Sequence, residues 1–483
     1  MISASRASTA AAARQARAVI ALLLTTALAA CAVGPDYHRP TVTMTPAFKE
    51  AEGWTPARPA DGVAKGEWWS VFGDPVLDGL ERRVEVSNQN LVAAEAAYRE
   101  ARALVAEDRA ALFPTVDLTG AASRSGRGAA AAPGASKTTN QFQASLGASW
   151  AVDVWGRIRR TLEGAKAQSQ ASAADLANAR LTAQSELAAD YFQLRVTDAQ
   201  KALLTQTVDD YTRSLQITQN QYDAGVVAKS DVLSARTQLT NARASLIDLD
   251  RARSQAEHAI AVLTGQPPAA LTLVAEPEWT PPPSPTPIEL PSTLLQRRPD
   301  IAAAERAAAN ANAQIGVQTA GFFPSLTLSG NYGFSATALS ALFKSSNAAW
   351  SIGANVAQTV FDAGATSARV RQARAAYDQS VAQYRQTVLT AFQQVEDQLA
   401  AARVLQDEEH YRVEAARDAV QAAQISLNQY RAGQVAYTSV AVAQATALSA
   451  RQSLVTLQGQ RLAAAVSLIE ALGGGWSAAD LPK

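Results

Sequence analysis

The chain has 483 residues, 43 Lys+Arg balanced by 43 Asp+Glu, and a single cysteine. That length allows a large core or several layers. The charge balance excludes a nucleic-acid partner, which needs a basic face, and one cysteine excludes an internal disulfide and any thiolate metal site.

The first thirty residues carry Arg6, Arg14 and Arg17 and no acid, so without them 40 basic residues face 43 acidic ones. The apolar run Val19 to Ala30 that follows is too short to span a bilayer, where roughly 20 residues are needed. Residues 1–30 therefore read as a signal peptide. Leu28-Ala29-Ala30-Cys31 resembles the lipobox of bacterial lipoproteins, in which the cysteine becomes the N-terminus and is acylated. Each buried methylene is worth roughly 0.8 kcal/mol, so two or more chains, palmitate among them, give a stable anchor. Ala32 follows; by resemblance to the lipoprotein sorting rule, the absence of Asp there implies the outer membrane.

After a lipidated segment at 31–79, the chain is written twice, with a first repeat at 80–265 and a second at 300–474. FPTVDLTG from Phe113 matches FPSLTLSG from Phe323 at an offset of 210, as Glu95 matches Glu305. Further on the offset is 208, pairing Gly156 with Gly364, Tyr222 with Tyr430 and Gly225 with Gly433. Between the repeats lies a proline-rich linker, 266–299, containing PPPSPTP from Pro281. Such a segment is neither helix nor central strand. Residues 475–483 are a tail.

Each repeat reads as helix, two strands, a very long helix, a turn and a shorter helix. The first helix is predicted at about 80–112. Strands are predicted at about 115–126, 140–153, 325–336 and 348–360. They alternate: Leu326, Leu328, Gly330, Tyr332 and Phe334 share one face, and Ser325, Thr327, Ser329 and Asn331 the other. About ten residues suits a tilted membrane strand, with the apolar face on lipid and the polar face on water. Four strands cannot close a membrane barrel, which starts at eight, and an open edge in hydrocarbon is costly. Either the strands are soluble or several chains share one barrel.

From Gly156 to Gly225 the chain allows a helix of roughly 100 Å, and the return helix is predicted at about 229–264. The two shorter helices of a repeat together match the long one, so they stack end to end beside it. That arrangement puts the strands at one end and two helical hairpin tips at the other. The tip glycines, Gly225 and Gly433, can take the left-handed conformation. Val232, Leu239, Leu246, Arg253 and Ile260 recur every seven residues with Ala235, Ala242, Leu249, Ala256 and Leu263. The second repeat has the same a/d heptad, Val440 to Leu468 with Ala443 to Ala471, and an arginine at the same place, Arg461. That arginine predicts a stretch facing water or a partner helix.

Catalytic chemistry is not indicated. His38, His258 and His410 lack ligand spacing. Asp209-Asp210 and Glu408-Glu409 read as solvated helix faces, and no nucleophile elbow, phosphate loop or zinc-protease motif occurs. The expectation is a non-enzyme with no metal and no cofactor beyond the covalent lipid on Cys31.

Gly34-Pro35-Asp36-Tyr37, Trp68-Trp69 with Phe72 and Asp74-Pro75, Arg297-Arg298-Pro299-Asp300-Ile301 and Ala313-Gln314-Ile315-Gly316 together resemble the NodT-type lipoprotein branch of the TolC-like outer-membrane factors. The resemblance covers nearly the whole mature chain. It implies an α+β membrane protein that forms a homotrimer, with a twelve-stranded barrel and a periplasmic helical barrel. Its implied partners are a periplasmic adaptor and an inner-membrane RND-type or ABC-type transporter. The implied gate is a closing of the helical tips, with Tyr222, Asp231 and Tyr430 in tip positions. Where members of the family often carry aspartates after the second turn, this chain has Ser439 and Val442, which implies a less polar gate. The favoured function is a passive efflux duct for drugs, toxic small molecules or metals. The exit duct of a type I protein secretion system and a structural envelope lipoprotein are the alternatives.

Overall fold

The computed structural model describes residues 32–42, 48–50, 67–126, 138–282 and 297–482. The signal peptide, Cys31 and residues 283–296 of the linker lie outside the described residues. The helices are α1 (Pro75–Ser87), α2 (Gln89–Ala110), α3 (Arg157–Asp223), α4 (Lys229–Leu263), α5 (Pro299–Thr319), α6 (Ala365–Arg431) and α7 (Tyr437–Ala471). The strands are β1 (Thr115–Gly126), β2 (Thr138–Val152), β3 (Ser325–Ala336) and β4 (Ala348–Ala357). The chain forms two compact units, one of the N-terminal residues to Thr41, Tyr98–Ser172 and Ala304–Tyr384, the other of Val42–Ala97, Ala173–Ala303 and Arg385–Lys483.

The first unit holds the sheet, antiparallel in the order β1-β2-β3-β4. The repeats join through β2 and β3, and β1 and β4 are left as edges. Residues directly opposite share a face, so Leu118, Leu146, Tyr332 and Trp350 form one apolar row across all four strands. Ser149 and Ser329 lie in a row of the polar face, as do Gly147 and Asn331. Leu118, Tyr332, Trp350 and Ile352 are all exposed. β4 stops three residues before its predicted end, because Ala357 pairs with Ser325, the first residue of β3, and no partner backbone lies beyond. β2 starts two residues early, its Thr138 opposite Gly126.

Asp153 sets the start of α3: its carboxylate accepts from the Ile158 and Arg159 amides at 3.0 and 2.9 Å. Asp362 does the same for α6 with Gly364 and Thr366, at 3.0 and 2.7 Å. The Gly34–Tyr37 motif is a strap on α3 and α5. Arg160 reaches Asp36 at 2.8 Å, and Asn312 donates to the Pro35 carbonyl at 3.0 Å. Tyr37 donates to Glu305 at 2.5 Å, and Gly34 lies against Gly316. Glu305 is buried by this strap, whereas its repeat partner Glu95 is exposed.

The second unit has the larger core. Trp68, Trp69 and Phe72 pack with Leu77, Leu80 and Val84 of α1, Leu187 to Leu194 of α3, Ile260 of α4 and Leu462 and Val466 of α7. Asp74 caps α1, accepting from Val76 and Leu77 at 2.9 and 3.2 Å, and its other oxygen accepts from the Tyr191 hydroxyl at 2.5 Å. The single helix predicted at 80–112 is in fact two. Asn88 is extended; its amide closes α1 onto Val84, and its side chain caps α2 through Asn90 and Leu91 at 2.9 and 3.2 Å. One residue thus ends one helix and begins the next.

The heptad stripe of α4 is buried at Val232, Ala235, Leu239 and Ala242 and again at Ala256, Ile260 and Leu263, and half open at Leu246 and Leu249. Arg253 does not face water. Its guanidinium donates to Asp198 of α3 and to the Leu273 carbonyl, both at 2.7 Å. Arg195 pairs with the other oxygen of Asp198 at 3.3 Å and donates to the Val274 carbonyl at 2.9 Å. The predicted helix partner is therefore Asp198, and the arginine also ties down the chain after α4. Its repeat equivalent Arg461 pairs with Glu409 of α6.

Candidate gate at the helical tips

Both hairpin tips lie in the second unit and share one geometry. At the first, the Gly225 amide donates to the Tyr222 carbonyl and the Val226 amide to Gln221, both at 2.8 Å. At the second, Gly433 donates to Tyr430 and Gln434 to Gln429, both at 2.9 Å. This paired closure needs a left-handed residue after the helix, and Gly225 and Gly433 have φ of 74° and 71°. The return helices begin with Asp231 and Ser439 donating their amides to Ala228 and Ala436, each at 3.1 Å.

The side chains break the repeat symmetry. Tyr222 is exposed, whereas Tyr430 is buried and packs edge-to-face on Tyr437 with ring centres 5.5 Å apart. Ala235 and Val440 complete that cluster, with Leu215 and Val435 against it. The Tyr430 hydroxyl donates to Thr218 Oγ1 at 3.4 Å, and that of Tyr437 to Gln238 Oε1 at 3.0 Å. Gln238 donates onward to the Ala441 carbonyl at 2.9 Å, and Gln444 to Ser214 at 3.0 Å. Two polar links thus fasten α7 to α4, the aromatic pair closes the second hairpin between α6 and α7, and two more polar links fasten that hairpin to α3.

Burial pushes the Tyr430 and Tyr437 hydroxyls above their ordinary range, and the charge of Asp231 adds to both. Both phenols are therefore neutral donors at physiological pH. Asp231 is the acid facing this cluster, while Ser439 and Val442 are exposed on the second hairpin. Of the predicted tip residues, the fold brings Asp231 and Tyr430 together and leaves Tyr222, Ser439 and Val442 on the surface. Sequence reasoning passes over Tyr437, Gln238, Thr218 and Gln444. A signal existed: Tyr437 replaces Lys229, and Thr446 replaces Gln238, at the repeat offset.

His38, His258 and His410 form no metal-ligating cluster with acids among the described residues. Glu408 pairs with Arg412 at 2.7 Å and Glu409 with Arg461, so that acidic pair is a helix surface.

The profile of the family described as "Outer membrane efflux protein" matches this chain twice, over residues 81–266 and 290–474. The chain belongs to that family. It is 32% identical over 457 residues to the probable efflux pump outer membrane protein TtgC of Pseudomonas putida, covering 93% of each chain. It is 30% identical to the cation efflux system protein CusC of Escherichia coli, covering 93% of this chain and 97% of that one. Among solved structures, the outer-membrane channel OprN superposes with a TM-score of 0.83 at 32% identity, over 92% of this chain and all of the other. The open-state MtrE channel of Neisseria gonorrhoeae gives 0.79 at 26% identity, over 94% of this chain and all of that one. The fold is TolC-like, and the protein is an outer-membrane efflux channel of a Gram-negative cell whose helices extend into the periplasm.

Proposed function

We propose that three copies of this chain close one twelve-stranded barrel in the outer membrane and that their helical hairpins form the periplasmic mouth of the duct. The carrying observation is the row Leu118, Leu146, Tyr332 and Trp350 on a four-stranded sheet with two unpaired edges. In hydrocarbon, every backbone group on those edges costs several kcal/mol unless it is paired. Joining β1 of one copy to β4 of the next removes both edges and keeps the apolar rows on lipid.

The duct is passive and needs no cofactor; energy enters at an inner-membrane RND-type transporter, joined through a periplasmic adaptor. Its cargo is set by that transporter, as the variety of names among relatives suggests: toluene for one TtgC, pyoverdine for OpmQ and cations for CusC. Acylation at Cys31 fits its neighbour, since Ala32 packs against Gly156 at the start of α3, beside the sheet. The lipid then aids delivery and placement of a protein already held by its barrel. Purified protein reconstituted in planar bilayers is expected to run as a trimer and conduct. Trimers that form no pore would overturn the duct. Deleting the gene and screening drugs, dyes, solvents and metals identifies the cargo class.

A further inference from the structure

The strand register places all four strand–helix junctions at one end of the sheet: Thr115 is opposite Ser149, Val152 opposite Leu326 and Ser325 opposite Ala357. Each junction carries an aromatic side chain. Phe113, Phe322 and Phe361 are exposed, and Trp155 stacks on Phe323 with ring centres 4.7 Å apart. Aromatic rings gathered at one end of membrane strands mark the lipid–water boundary.

Immediately past this belt the two long helices are basic. Between Arg157 and Ser172, Arg157, Arg159, Arg160 and Lys166 face one acid, Glu163; between Ala365 and Tyr384, Arg369, Arg371 and Arg374 face one acid, Asp378. Farther along the sign reverses. Residues 173–223 hold four cations against seven acids, and residues 385–431 five against seven. Neither α3 nor α6 has an acid in its first turn, although a helix N-terminus favours anions and disfavours cations. Asp153 and Asp362 satisfy the N-terminal amides of the two helices, but the cations on the turns that follow outnumber the acids there.

Arg159, Arg160 and Arg306 are engaged with Asp153, Asp36 and Glu305. Arg157, Lys166, Arg369, Arg371 and Arg374 are exposed and have no ion pair among the described residues. Lys166 and Arg374 occupy the same place in the two repeats. Lys166 opens onto a groove of about 400 Å³, enough for a phosphate headgroup, that Tyr37, Arg159 and Arg306 also line together with one acid, Glu163, which Arg160 pairs at 2.8 Å.

We propose that these strand-proximal turns of α3 and α6 form a basic collar that binds the phosphate headgroups of anionic phospholipid, such as phosphatidylglycerol, in the leaflet the helices leave. The inference rests on the barrel reading above. Cations just outside the aromatic belt meet headgroup phosphates at the depth where the chain leaves hydrocarbon, and lipid supplies counter-charge to the exposed cations that no acid of the described residues pairs. The same contacts hold the barrel at a fixed depth.

The test uses the mature acylated protein in vesicles with trace spin-labelled phosphatidylglycerol or phosphatidylcholine, reading the lipid immobilised at the protein surface. Phosphatidylglycerol is expected to be preferred, on the order of tenfold or less at low salt, with the preference falling as salt rises. The variant R157Q/K166Q/R369Q/R371Q/R374Q is expected to abolish the preference while keeping a heat-resistant trimer and its conductance. K166Q/R374Q alone is expected to reduce it. R236Q/R243Q, which removes exposed cations in the first half of α4, near the hairpin tip, is expected to leave it intact. Equal immobilisation of the two lipids by the unmodified protein, or an unchanged preference in K166Q/R374Q and the five-site variant, overturns the collar alone. A protein that immobilises neither lipid overturns the barrel reading and the collar with it.

Discussion

Arg298 donates from Nη1 to the main-chain carbonyl of Ala471 at 2.9 Å, and its repeat counterpart Asn88 donates to the carbonyl of Leu263 at the same distance. In each repeat the residue just before the first helix, α2 or α5, thus satisfies a carbonyl in the last turn of the return helix, α4 or α7. The joint is close: a Cβ on Gly473 would overlap the Arg297 carbonyl, as one on Gly265 would overlap that of Ser87. Arg298 also grips Asp300 at 2.6 and 3.0 Å and Gln394 at 2.8 Å.

Arg298→Ala is accordingly expected to destabilise the protein by about 2–4 kcal/mol, because a buried cation with three partners leaves them uncompensated. Asn88→Ala, which loses a cap and one neutral bond, is expected to cost about 1–2 kcal/mol. Thermal or denaturant unfolding of the purified protein orders the two.

Arg253→Leu removes one of the two guanidinium groups on Asp198, whose side chain is 1% exposed. Asp198 keeps Arg195, so the loss is partial, about 2–3 kcal/mol. Proteolysis after Leu273 is expected to quicken, since the carbonyls of Leu273 and Val274 are held by these two arginines. An unchanged melting temperature with an unchanged cleavage rate refutes this account of the heptad arginine.

Tyr437→Phe deletes the hydroxyl that reaches Gln238 and keeps the ring against Tyr430. Loss of one such bond is worth about 1 kcal/mol, or roughly fivefold in the ratio of open to closed mouths. Single-channel recording is expected to show a higher open fraction with no loss of trimer. Tyr222→Phe, altering an exposed residue, is the control expected to change nothing.

Cation block follows from the same tips. Asp231 has Ser439 as its repeat equivalent, so a second acidic ring is missing. Closed trimers are expected to show little sensitivity to trivalent cations in planar bilayers. Ser439→Asp is expected to introduce block, and strong block of the unmodified channel would refute the less polar gate.

Glu81 is fully buried, and neither carboxylate oxygen has a hydrogen-bond donor among the described residues. Burial, then the charges of Glu85 and Asp78, push its pKa up to about 9. The unfolded chain releases this proton near 4.5 and the folded protein near 9. Stability therefore falls as pH rises between those values, because the folded state binds the extra proton. Glu81→Gln is expected to raise stability at pH 7 by about 1–3 kcal/mol and to flatten that slope. Melting temperature against pH for both proteins is the measurement.

Much of the architecture is legible locally. Period-two alternation and period-seven stripes locate the strands and the return helices, because a half-buried strand and a packed helix each impose their own spacing. The duplication is visible because the two halves bury matching residues at matching depths, and Gly225 and Gly433 mark tips because few other residues tolerate a positive φ. The break at Asn88 is the exception: the bonds that make it, to Val84, Asn90 and Leu91, are all local, but Leu80, Val84 and Leu91 keep helical spacing across it and mask the cap.

What pairs across long separations was decided only in three dimensions. Tyr430 and Tyr222 share a repeat position, yet one is buried and the other exposed, because Tyr437 stands beside the first and the second lacks such a neighbour. Glu305 and Glu95 part in the same way, through a strap more than two hundred residues away in the chain. Periodicity records which face of an element is dry; it carries no record of which other element keeps that face dry. The elements of this channel, and their order, therefore follow from spacing, whereas the polar links across its tips and joints follow from which distant side chains the fold brings within hydrogen-bonding distance.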